Sequence, residues 1–565
     1  MEDVTRRQLL AGSAAVALGA GAPQAFAEDA PAPAAEPAPV EGDWIELETA
    51  IKETVLDGHR VRLRAYNGQI PGPAIVTRPG ATLRIRLKNS LPPYDSSGWP
   101  GDHNVPHGLD ATNLHVHGLD VVPHVFEPVG TSDPLAPQIV VGPGESKDYV
   151  FELPADHPPG FNFYHPHKHG ATAVQVATGL AGPLIVRGAI DEVPEIAAAR
   201  EIFLAVQDIG LFPSEDDPDV WQYEPVQNAM WHTFGGYVTI MGERTDLRGG
   251  FTTGDYALRY YLLNGEPFFK ETHNSEPGKE TEPVGTQLPV QRITIAPGEV
   301  VRLRMLNGAT DNMMPVVVDG HDVHLVALDG VNFSKVRTIP ARAPGDESEK
   351  LLLASANRAD FLIRGNAARG IYKIRQLRQD QQFLLSEEKV IAEIEVAGPP
   401  QDMALPTALP IPTRVYPLIE PSEVRRVRIV EFSGTPPGII NTVVGGDYLV
   451  NNAIYNEKEV PVVVHLDDVE EWRIVVGRGH HGGDEGHPFH IHVNGFEVIS
   501  VGGKPFPPGT VMDTIWVPAG SEAVIRMRFK DWVGKSVFHC HILPHEDTGM
   551  MQNFLILPPR GGHAH

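Results

Sequence analysis

Histidines recur in this sequence as pairs separated by a single residue. The pairs lie in four short clusters, at residues 115–117 (HVH), 165–167 (HPH), 487–492 (HPFHIH) and 539–545 (HCHILPH). Side chains at positions i and i+2 of a β-strand point to the same face, so each pair presents two imidazoles side by side. Imidazole binds zinc, copper, iron and nickel. Since an isolated pair can arise by chance but four pairs in one chain are hard to explain that way, the spacing predicts transition-metal sites.

The single cysteine, Cys540, lies between His539 and His541, and no intrachain disulfide can therefore form. On a strand the thiol must point away from the two flanking imidazoles, so it must serve a different metal ion from theirs. A thiolate, two imidazoles and a weak thioether form the ligand set of a blue copper centre, for which the candidates are Cys540, His487, His545 and Met550. Zinc would favour a closed tetrahedral set of stronger ligands. An inert buried cysteine is the alternative interpretation.

The four clusters resemble the copper motifs of the multicopper oxidase family, which includes laccases, bilirubin oxidases and cuprous oxidases. The motifs are H-x-H-G from residue 115, Y-H-P-H-x-H-G from residue 164, H-P-x-H-x-H from residue 487 and H-C-H-x-x-x-H-E-x-x-G-M from residue 539. They follow the family's order, and the resemblance covers the chain from about residue 42 onwards. It implies an all-β fold of three tandem cupredoxin-like Greek-key β-sandwich domains. It also implies four copper ions, with a blue type 1 copper in the third domain and a trinuclear cluster between the first and the third.

Carried over by motif, the resemblance supplies every expected ligand. It assigns the type 1 copper to His487, Cys540, His545 and Met550, and the type 2 copper to His115 and His490. It assigns the two type 3 coppers to His117, His165, His167, His492, His539 and His541. Phe163 stands where the family often has tryptophan, which removes no ligand. His169, His480, His481, His563 and His565 fall outside the ligand set.

Three acidic residues are candidates for supporting roles. Glu546, directly after His545, and Asp133, downstream of the first cluster, resemble the family's proton-relay acids. Asp513 is a candidate for orienting one of the imidazoles by a hydrogen bond. For each of them the alternative is an ordinary solvated carboxylate.

Strand patterns and an internal repeat support duplicated β-domains. Residues 83–88 alternate strictly between apolar and basic side chains, as in a strand with one wet face. The pattern Pro79-Gly80-x-x-x-Arg84-x-Arg86-x-x-Asn89 recurs 218 residues later, from Pro297 to Asn307, and residues 466–474 are a looser third copy. Glycine (56) and proline (52) are abundant, as is typical of folds with many short strands.

Composition predicts where these domains begin and end. The predicted domains are 42–190, 195–396 and 413–558, and residues 28–41 form a Pro/Ala-rich tether. We expect the poorly patterned residues 212–285 to be long loops of the middle domain. No periodic apolar stripe indicates an oligomer, so a monomer is expected.

The N-terminus has the features of a Tat-type export signal at residues 1–27. Arg6 and Arg7 precede a short apolar run, and Ala25-Phe26-Ala27 forms a cleavage site. A periplasmic or secreted protein is therefore expected. No segment has the roughly 18 consecutive apolar residues of a membrane span. A formal net charge of −26 argues against nucleic acid or an anionic membrane as a partner.

These features predict a laccase-type oxidase with dioxygen as electron acceptor. A small reducing substrate, either a phenol or an aromatic amine, would give single electrons to the type 1 copper, and four electrons would reduce dioxygen to water at the cluster. A cuprous oxidase is the main alternative, although the 11 methionines are scattered and not concentrated in one segment. A copper nitrite reductase would leave two of the clusters unexplained. A copper-free scaffold protein would be expected to have lost ligands.

Overall fold

Strands with one buried face dominate the computed structural model, as the alternating patterns predict. It describes residues 43–94, 103–104, 106–214, 217–223, 237–240, 243–246, 256–272, 284–341, 349–380, 385–411, 419–434, 448–477 and 485–561. The predicted export signal (1–27) and tether (28–41) lie outside these residues. Within them, no helix has the length and apolar character needed to cross a membrane.

The first sandwich is built from two sheets that share one core. Its elements are β1 (Trp44–Leu56), β2 (His59–Tyr66), β3 (Ile75–Thr77), β4 (Thr82–Asn89), β5 (His115–His117), β6 (Ser146–Glu152), β7 (Gly160–His165), α1 (Thr172–Val176) and β8 (Gly182–Val186). One sheet contains β2-β1-β4-β6 and the other β3-β8-β7-β5. Apolar side chains from both sheets, among them Ile85, Phe151, Val116 and Leu184, form a single buried cluster.

The middle sandwich follows the same plan. Its elements are α2 (Pro194–Ala197), β9 (Arg200–Pro213), β10 (Val220–Gln222), β11 (Tyr237–Ile240), β12 (Glu243–Asp246), β13 (Leu258–Leu263), β14 (Glu266–Thr272), β15 (Val284–Gln287), β16 (Gln291–Ile295), β17 (Val300–Asn307), β18 (Met314–Val318), β19 (Val323–Leu328), β20 (Val331–Ile339), β21 (Leu351–Leu353), β22 (Arg358–Arg364), β23 (Gly370–Gln376), β24 (Gln379–Asp380), β25 (Leu385–Ser386) and β26 (Lys389–Val396). The sheet β20-β19-β22-β17-β9 faces the sheet β16-β26-β23-β18-β21 across a shared core.

The expectation of long loops over residues 212–285 is wrong for part of that segment. β13 pairs with β9 and β14 pairs with β13, which extends the sheet. All six residues of β13 are buried, so the strand shows no alternation in its sequence.

The third sandwich contains the second pair of histidine clusters. Its elements are a 3-10 turn (Pro421–Glu423), β27 (Arg426–Gly434), β28 (Tyr448–Val450), β29 (Val462–His465), β30 (Val469–Val476), β31 (His487–Ile491), β32 (Phe496–Val501), β33 (Lys504–Pro505), β34 (Val511–Met512), β35 (Thr514–Val517), β36 (Ser521–Arg528), β37 (Gly534–Cys540), α3 (Leu543–Asp547) and β38 (Met551–Leu557). The sheets are β28-β27-β30-β36-β32 and β29-β38-β37-β31-β35. Fully buried Trp472 packs against Phe489 and Phe538 between them.

The internal repeat corresponds to one three-strand arrangement that occurs in each sandwich. β4, β17 and β30 each pair in parallel with one strand (β1, β9 and β27) and antiparallel with another (β6, β22 and β36). The residue two positions before each central strand, Gly80, Gly298 or Asp467, has a positive φ of 75°, 79° or 66°. The prediction of an all-β fold with three tandem β-sandwiches is confirmed, whereas the exact domain boundaries stay predictions.

Candidate metal centres

Two strands of the first sandwich and two of the third carry the histidine clusters. β5 pairs antiparallel with β7, which puts His115 opposite His165. β31 pairs antiparallel with β37, which puts His490 opposite His539. The remaining partners of the four pairs are His117, His167, His492 and His541. Each of these eight histidines is at most 2% exposed, so the strands deliver them to a site closed to solvent.

Rings from the first and third sandwiches interleave in this site, which we call the histidine group. His115 stacks on His492 and His117 stacks on His490, each with 3.9 Å between ring centroids. The site therefore exists only where the two sandwiches meet.

Three inward nitrogens of the histidine group have the spacing of ligands to a common ion. Nε2 of His539 lies 3.1 Å from Nε2 of His167 and 3.2 Å from Nε2 of His492. Two imidazole nitrogens at about 2.0 Å from one metal ion, with a tetrahedral angle, lie about 3.3 Å apart. Other sets of ligand atoms within 4.8 Å of one another are His115/His117/His165 and His115/His490/His492.

In three of these histidines the outward nitrogen is held by a hydrogen bond, which leaves the inward nitrogen available. Nδ1 of His165, His490 and His539 lies 2.8–2.9 Å from the backbone carbonyls of Pro166, Asp513 and Cys540, respectively. Because a carbonyl only accepts, these Nδ1 atoms carry hydrogen and the lone pairs are on Nε2. Among the described residues, Nε2 of His165 and of His490 has no hydrogen-bond partner. Orphaned buried nitrogens are costly without a ligand, so this donor set fits metal ions.

Burial keeps these imidazoles neutral. It lowers the pKa of His490 and His539 to about 3 and that of His165 to about 4, and neighbouring histidines add to the effect. The pKa of His115, His117 and His541 is also far below the usual value, for the same causes. Neutral imidazole is the form that binds metal.

A second set of ligand atoms lies on the opposite side of β37, and we call it the cysteine group. Sγ of Cys540 is 3.6 Å from Nδ1 of His487 and 3.8 Å from Nδ1 of His545, and the two nitrogens are 3.3 Å apart. A metal ion with bonds of about 2.0 Å to nitrogen and 2.3 Å to sulfur gives separations of about 3.3 and 3.5 Å. Met550 is fully buried beside this group, where its carbonyl accepts the N–H of Cys540.

The thiol of Cys540 fits a site that needs a metal ion. Burial raises its pKa well above the usual value, and Glu485 and Glu546 contribute in the same direction. The thiolate form is therefore unfavourable unless a cation compensates it, and a coordinated thiol is deprotonated outright.

Glu546 is brought into contact with the histidine group. Its carboxylate oxygens lie 3.4 Å from Nδ1 of His167 and 3.3 Å from Nδ1 of His539, and the side chain is fully buried. Burial, with a contribution from Asp547, raises the pKa of Glu546 well above its usual value. This shift favours the protonated carboxyl group next to two candidate ligands.

Asp513 also touches the histidine group. Its Oδ1 lies 3.1 Å from Nε2 of His117, so that the lone pair of His117 is on Nδ1. Arg358 of the middle sandwich holds the same carboxylate with contacts of 3.0 and 2.6 Å. Arg358 is fully buried and also donates to Phe161 and Asn162 of the first sandwich. One guanidinium thus joins all three sandwiches beside His117.

Asp133 is not brought to the histidines. Its side chain is exposed, and its carboxylate accepts the N–H of Leu135 in a turn. Phe163, the position that departs from the family pattern, packs against His165 and His117 with centroids 5.0 and 4.5 Å apart.

A hairpin tip of the middle sandwich reaches the joint between the other two. Asp329-Gly330 links β19 to β20, and Asp329 accepts hydrogen bonds from Arg358 N–H and from the side chain of Asn357. A side chain at Gly160 would collide with the carbonyl of Gly330. Asp329 lines a narrow cavity together with His115, His490 and Asp513. Burial and the nearby Asp513 raise the pKa of Asp329 to about 7.

Sequence patterns did not identify four residues that surround these two groups: Asp329, Arg358, Glu485 and His124, whose Nε2 lies 3.0 Å from Nδ1 of His115. None of the four falls on a ligand motif, and the contacts of Asp329, Arg358 and Glu485 join residues that are far apart in the sequence. Glu485 lies 3.3 Å from Nε2 of His545, and Tyr448 stacks on the same ring at 3.9 Å. His545 is consequently only 2% exposed.

Comparison with known proteins agrees with this architecture. Models of the multicopper oxidase family match residues 49–190, 249–384 and 429–560. A multicopper oxidase of Staphylococcus haemolyticus is 24% identical over 86% of this chain and 82% of its own length. A laccase of Haloferax volcanii is 24% identical over 100% of this chain and 93% of its own. The solved structure of a multicopper oxidase from Campylobacter jejuni, described as a metallo-oxidase, is 23% identical, with a TM-score of 0.65 over 93% of this chain and 94% of that one.

The family models together match well over half of the sequence, and they span all three sandwiches. The chain therefore belongs to the multicopper oxidase family, and it is an oxidoreductase that uses copper ions, dioxygen and a reducing substrate.

Proposed function

We propose that this chain is a laccase-like multicopper oxidase that oxidises a phenol or an aromatic amine one electron at a time and reduces dioxygen to water. The position of Cys540 carries the proposal. Its sulfur belongs to the cysteine group, while the adjacent residues His539 and His541 belong to the histidine group. Bound copper ions would supply the electron transfer and the dioxygen reduction. The backbone between Cys540 and its two neighbours in the sequence then connects the cysteine group to the histidine group.

The ligand assignment is part of the proposal. His487, Cys540, His545 and Met550 would hold a type 1 copper, and His115 and His490 a type 2 copper. His117, His165, His167, His492, His539 and His541 would hold two type 3 coppers. The orphaned inward nitrogens and the separations of about 3.1–3.8 Å between donor atoms support this assignment.

Three acids would support the reaction in different ways. The carboxyl oxygens of Glu546 lie within 3.4 Å of two outward nitrogens, and burial favours the protonated form, which supports a role as proton donor to the cluster. Asp513 holds the ring of His117 in the tautomer that presents Nδ1. Asp133 is exposed, so its part in proton supply would be at the solvent end of the path.

A copper titration followed by absorption and EPR spectroscopy tests the proposal. Loaded wild-type protein should bind four copper ions per chain and show the intense blue band of a copper–thiolate bond. Cys540→Ser should lose the blue band and one copper ion but keep the EPR signal of type 2 copper. A loaded wild-type protein with one copper ion per chain, or with no blue band, would favour the copper-free scaffold or a simple cupredoxin.

Copper(I) is a second candidate for the reducing substrate, and one observation favours it. The carboxyl group of Glu485 lies 3.3 Å from Nε2 of His545, and Asp311 adds negative charge near Glu485. A small cation suits such a buried acidic position better than a bulky aromatic ring does, because the ring would have to displace Tyr448.

Turnover of a phenolic donor and of copper(I), compared in one preparation, separates the two candidates. Fast oxygen uptake with the phenol supports the laccase-like function. Negligible phenol turnover beside fast copper(I) oxidation supports the cuprous oxidase, and Glu485→Gln should then raise the KM for copper(I). Glu457→Gln is the control, because the carboxylate of Glu457 accepts the N–H of Gln138 and no contact between it and the cysteine group is found among the described residues.

We also propose export by the Tat pathway to the periplasm or beyond, as a monomer. Arg6-Arg7 before the apolar run supports this proposal. Replacing both arginines by lysine should leave the uncleaved precursor inside the cell, and N-terminal sequencing of the wild-type mature protein should begin at Glu28. Unchanged export of the double variant would refute the Tat assignment.

A further inference from the structure

His124 is a buried histidine that belongs to none of the four copper motifs, yet it touches the histidine group. Its Nδ1 lies 3.0 Å from the carbonyl oxygen of Val122. Its Nε2 lies 3.2 Å from the backbone nitrogen of Val116 and 3.0 Å from Nδ1 of His115. The two rings are nearly parallel, 5.1 Å apart, and Phe151 packs edge-on against His124.

These contacts determine the position of the hydrogen on both rings. A backbone carbonyl only accepts, so Nδ1 of His124 carries hydrogen; a backbone N–H only donates, so Nε2 of His124 has the lone pair. Nδ1 of His115 must therefore donate to that same Nε2. It follows that the lone pair of His115 is on its own Nε2, which has no hydrogen-bond partner among the residues that the structure describes. Ligand atoms of His115, His490 and His492 lie within 4.8 Å of one another.

We propose that His124 is a positioning residue for the type 2 copper, because it fixes the tautomer and the ring orientation of His115. The proposal rests on the proposed function, which gives His115 to that copper. Other histidines of the group donate their outward N–H to carbonyl oxygens or, in the case of His117, to the carboxylate of Asp513. A neutral imidazole is a weaker acceptor than a carboxylate, so His124 leaves His115 a less electron-rich ligand than His117.

His157 provides a matched control within the same sandwich. It is buried to the same degree, its Nε2 accepts the N–H of Asp120 at 3.0 Å and its Nδ1 donates to the carbonyl of Pro158 at 2.8 Å. His157 thus has the same tautomer and the same kind of backbone contacts as His124. No contact between His157 and a candidate copper ligand is found in the described part of the chain. The His157 variant therefore shows how much copper is lost when a buried histidine without a contact to a copper ligand is removed.

The test compares His124→Phe, His124→Gln and His157→Phe by copper content, EPR and resistance to a chelator. His124→Phe removes the acceptor, so one copper ion should be lost about 10–100-fold more readily, with a changed or missing type 2 EPR signal. The blue band should persist, since the cysteine group is untouched. His124→Gln can place an amide oxygen where Nε2 was and should recover most of the wild-type signal. His157→Phe should keep the full copper content.

A His124→Phe protein with wild-type copper content, EPR signal and chelator resistance would overturn the proposal, as would equal losses in His157→Phe. A wild-type protein that binds no copper would instead overturn the proposed function. If His124→Phe does not fold, neutron diffraction from wild-type crystals decides. Hydrogen on Nδ1 of both His115 and His124 supports the proposal, and hydrogen on Nε2 of His124 overturns it.

Discussion

Replacement of Arg358 by methionine should weaken both the fold and the copper cluster. The guanidinium is fully buried, and its two contacts of 3.0 and 2.6 Å neutralise the carboxylate of Asp513. Removal of one partner of a buried ion pair costs about 3–5 kcal/mol, because the remaining charge stays buried and uncompensated. Asp513 would then be free to move from His117, and the loss of such a support reduces metal affinity by about 10–100-fold.

The size of the thermal shift depends on how the sandwiches unfold. The entropy of unfolding is about 2.1 cal/mol/K per residue, so a cooperative unit of about 500 residues has an entropy of unfolding of about 1 kcal/mol/K. A loss of about 3–5 kcal/mol then lowers Tm by about 3–5 °C. If a sandwich of about 150 residues unfolds separately, the same loss lowers Tm by about 10–15 °C. Calorimetry of the copper-free protein distinguishes these cases, because only separate unfolding gives more than one transition.

Arg302→Met is the matched control for this prediction. Arg302 is buried in the same sandwich and makes a similar two-point contact with Asp360, at 2.8 and 2.6 Å. It should lower Tm by a smaller amount, because Arg304 still contacts Asp360 at 2.9 Å, and copper content and the type 2 EPR signal should stay at the wild-type level. If Arg358→Met retains copper as well as Arg302→Met does, the ion pair with Asp513 has no part in holding the cluster.

Three further predictions concern single side chains. Glu546→Gln should keep the blue band but slow oxygen consumption at least about tenfold, because the proton next to His167 and His539 is no longer donated; unchanged oxygen-electrode rates would remove Glu546 from the relay. Burial raises the pKa of Glu485 from 4.5 to about 8, so the folded copper-free protein holds a proton that the unfolded chain loses. The contribution of protonated Glu485 to the free energy of unfolding is complete below pH 4.5. It falls by about 1.4 kcal/mol per pH unit as the pH rises towards 8. Glu485→Gln should therefore flatten the decline of Tm over this pH range. Equal slopes of Tm against pH for the variant and the wild type would contradict the raised pKa of Glu485. Gly160→Ala should destabilise the protein by about 1–3 kcal/mol, because the added carbon collides with the carbonyl of Gly330. Gly142→Ala, where the added carbon meets only the flexible end of the Glu145 side chain, should cost less in the same denaturant titration.

The fold and the histidine clusters were predictable because both depend on local periodicity. A period of two residues puts His115 and His117 on one face and turns Cys540 away from its neighbours, whatever the rest of the chain does. The repeated Pro-Gly-x-x-x-Arg pattern marks the first two of three equivalent central strands for a similar reason. Such patterns are visible in the sequence without knowledge of tertiary structure.

The supporting residues were not predictable in this way. Arg358 meets Asp513 across 155 residues of sequence, and no period relates their positions. His124 lies only nine residues from His115, but it approaches through a loop whose course no pattern describes. The same limit affects Asp133, which matches a motif position in an irregular segment and whose side chain lies at the surface. Periodicity therefore predicts the positions of residues on strands. Positions that depend on the path of a loop or on contacts between sandwiches follow only from the tertiary structure.

The buried thiol of Cys540 has a consequence for the life of the protein before copper arrives. Oxidants, alkylating reagents and disulfides react with the thiolate, and the environment of this sulfur strongly favours the protonated form. The copper-free chain therefore keeps its one sulfhydryl chemically intact in the presence of oxidants. Metal uptake must then expel that hydrogen as H⁺, so a pH-stat should register its release as the colour develops, and loading should become less favourable in acid.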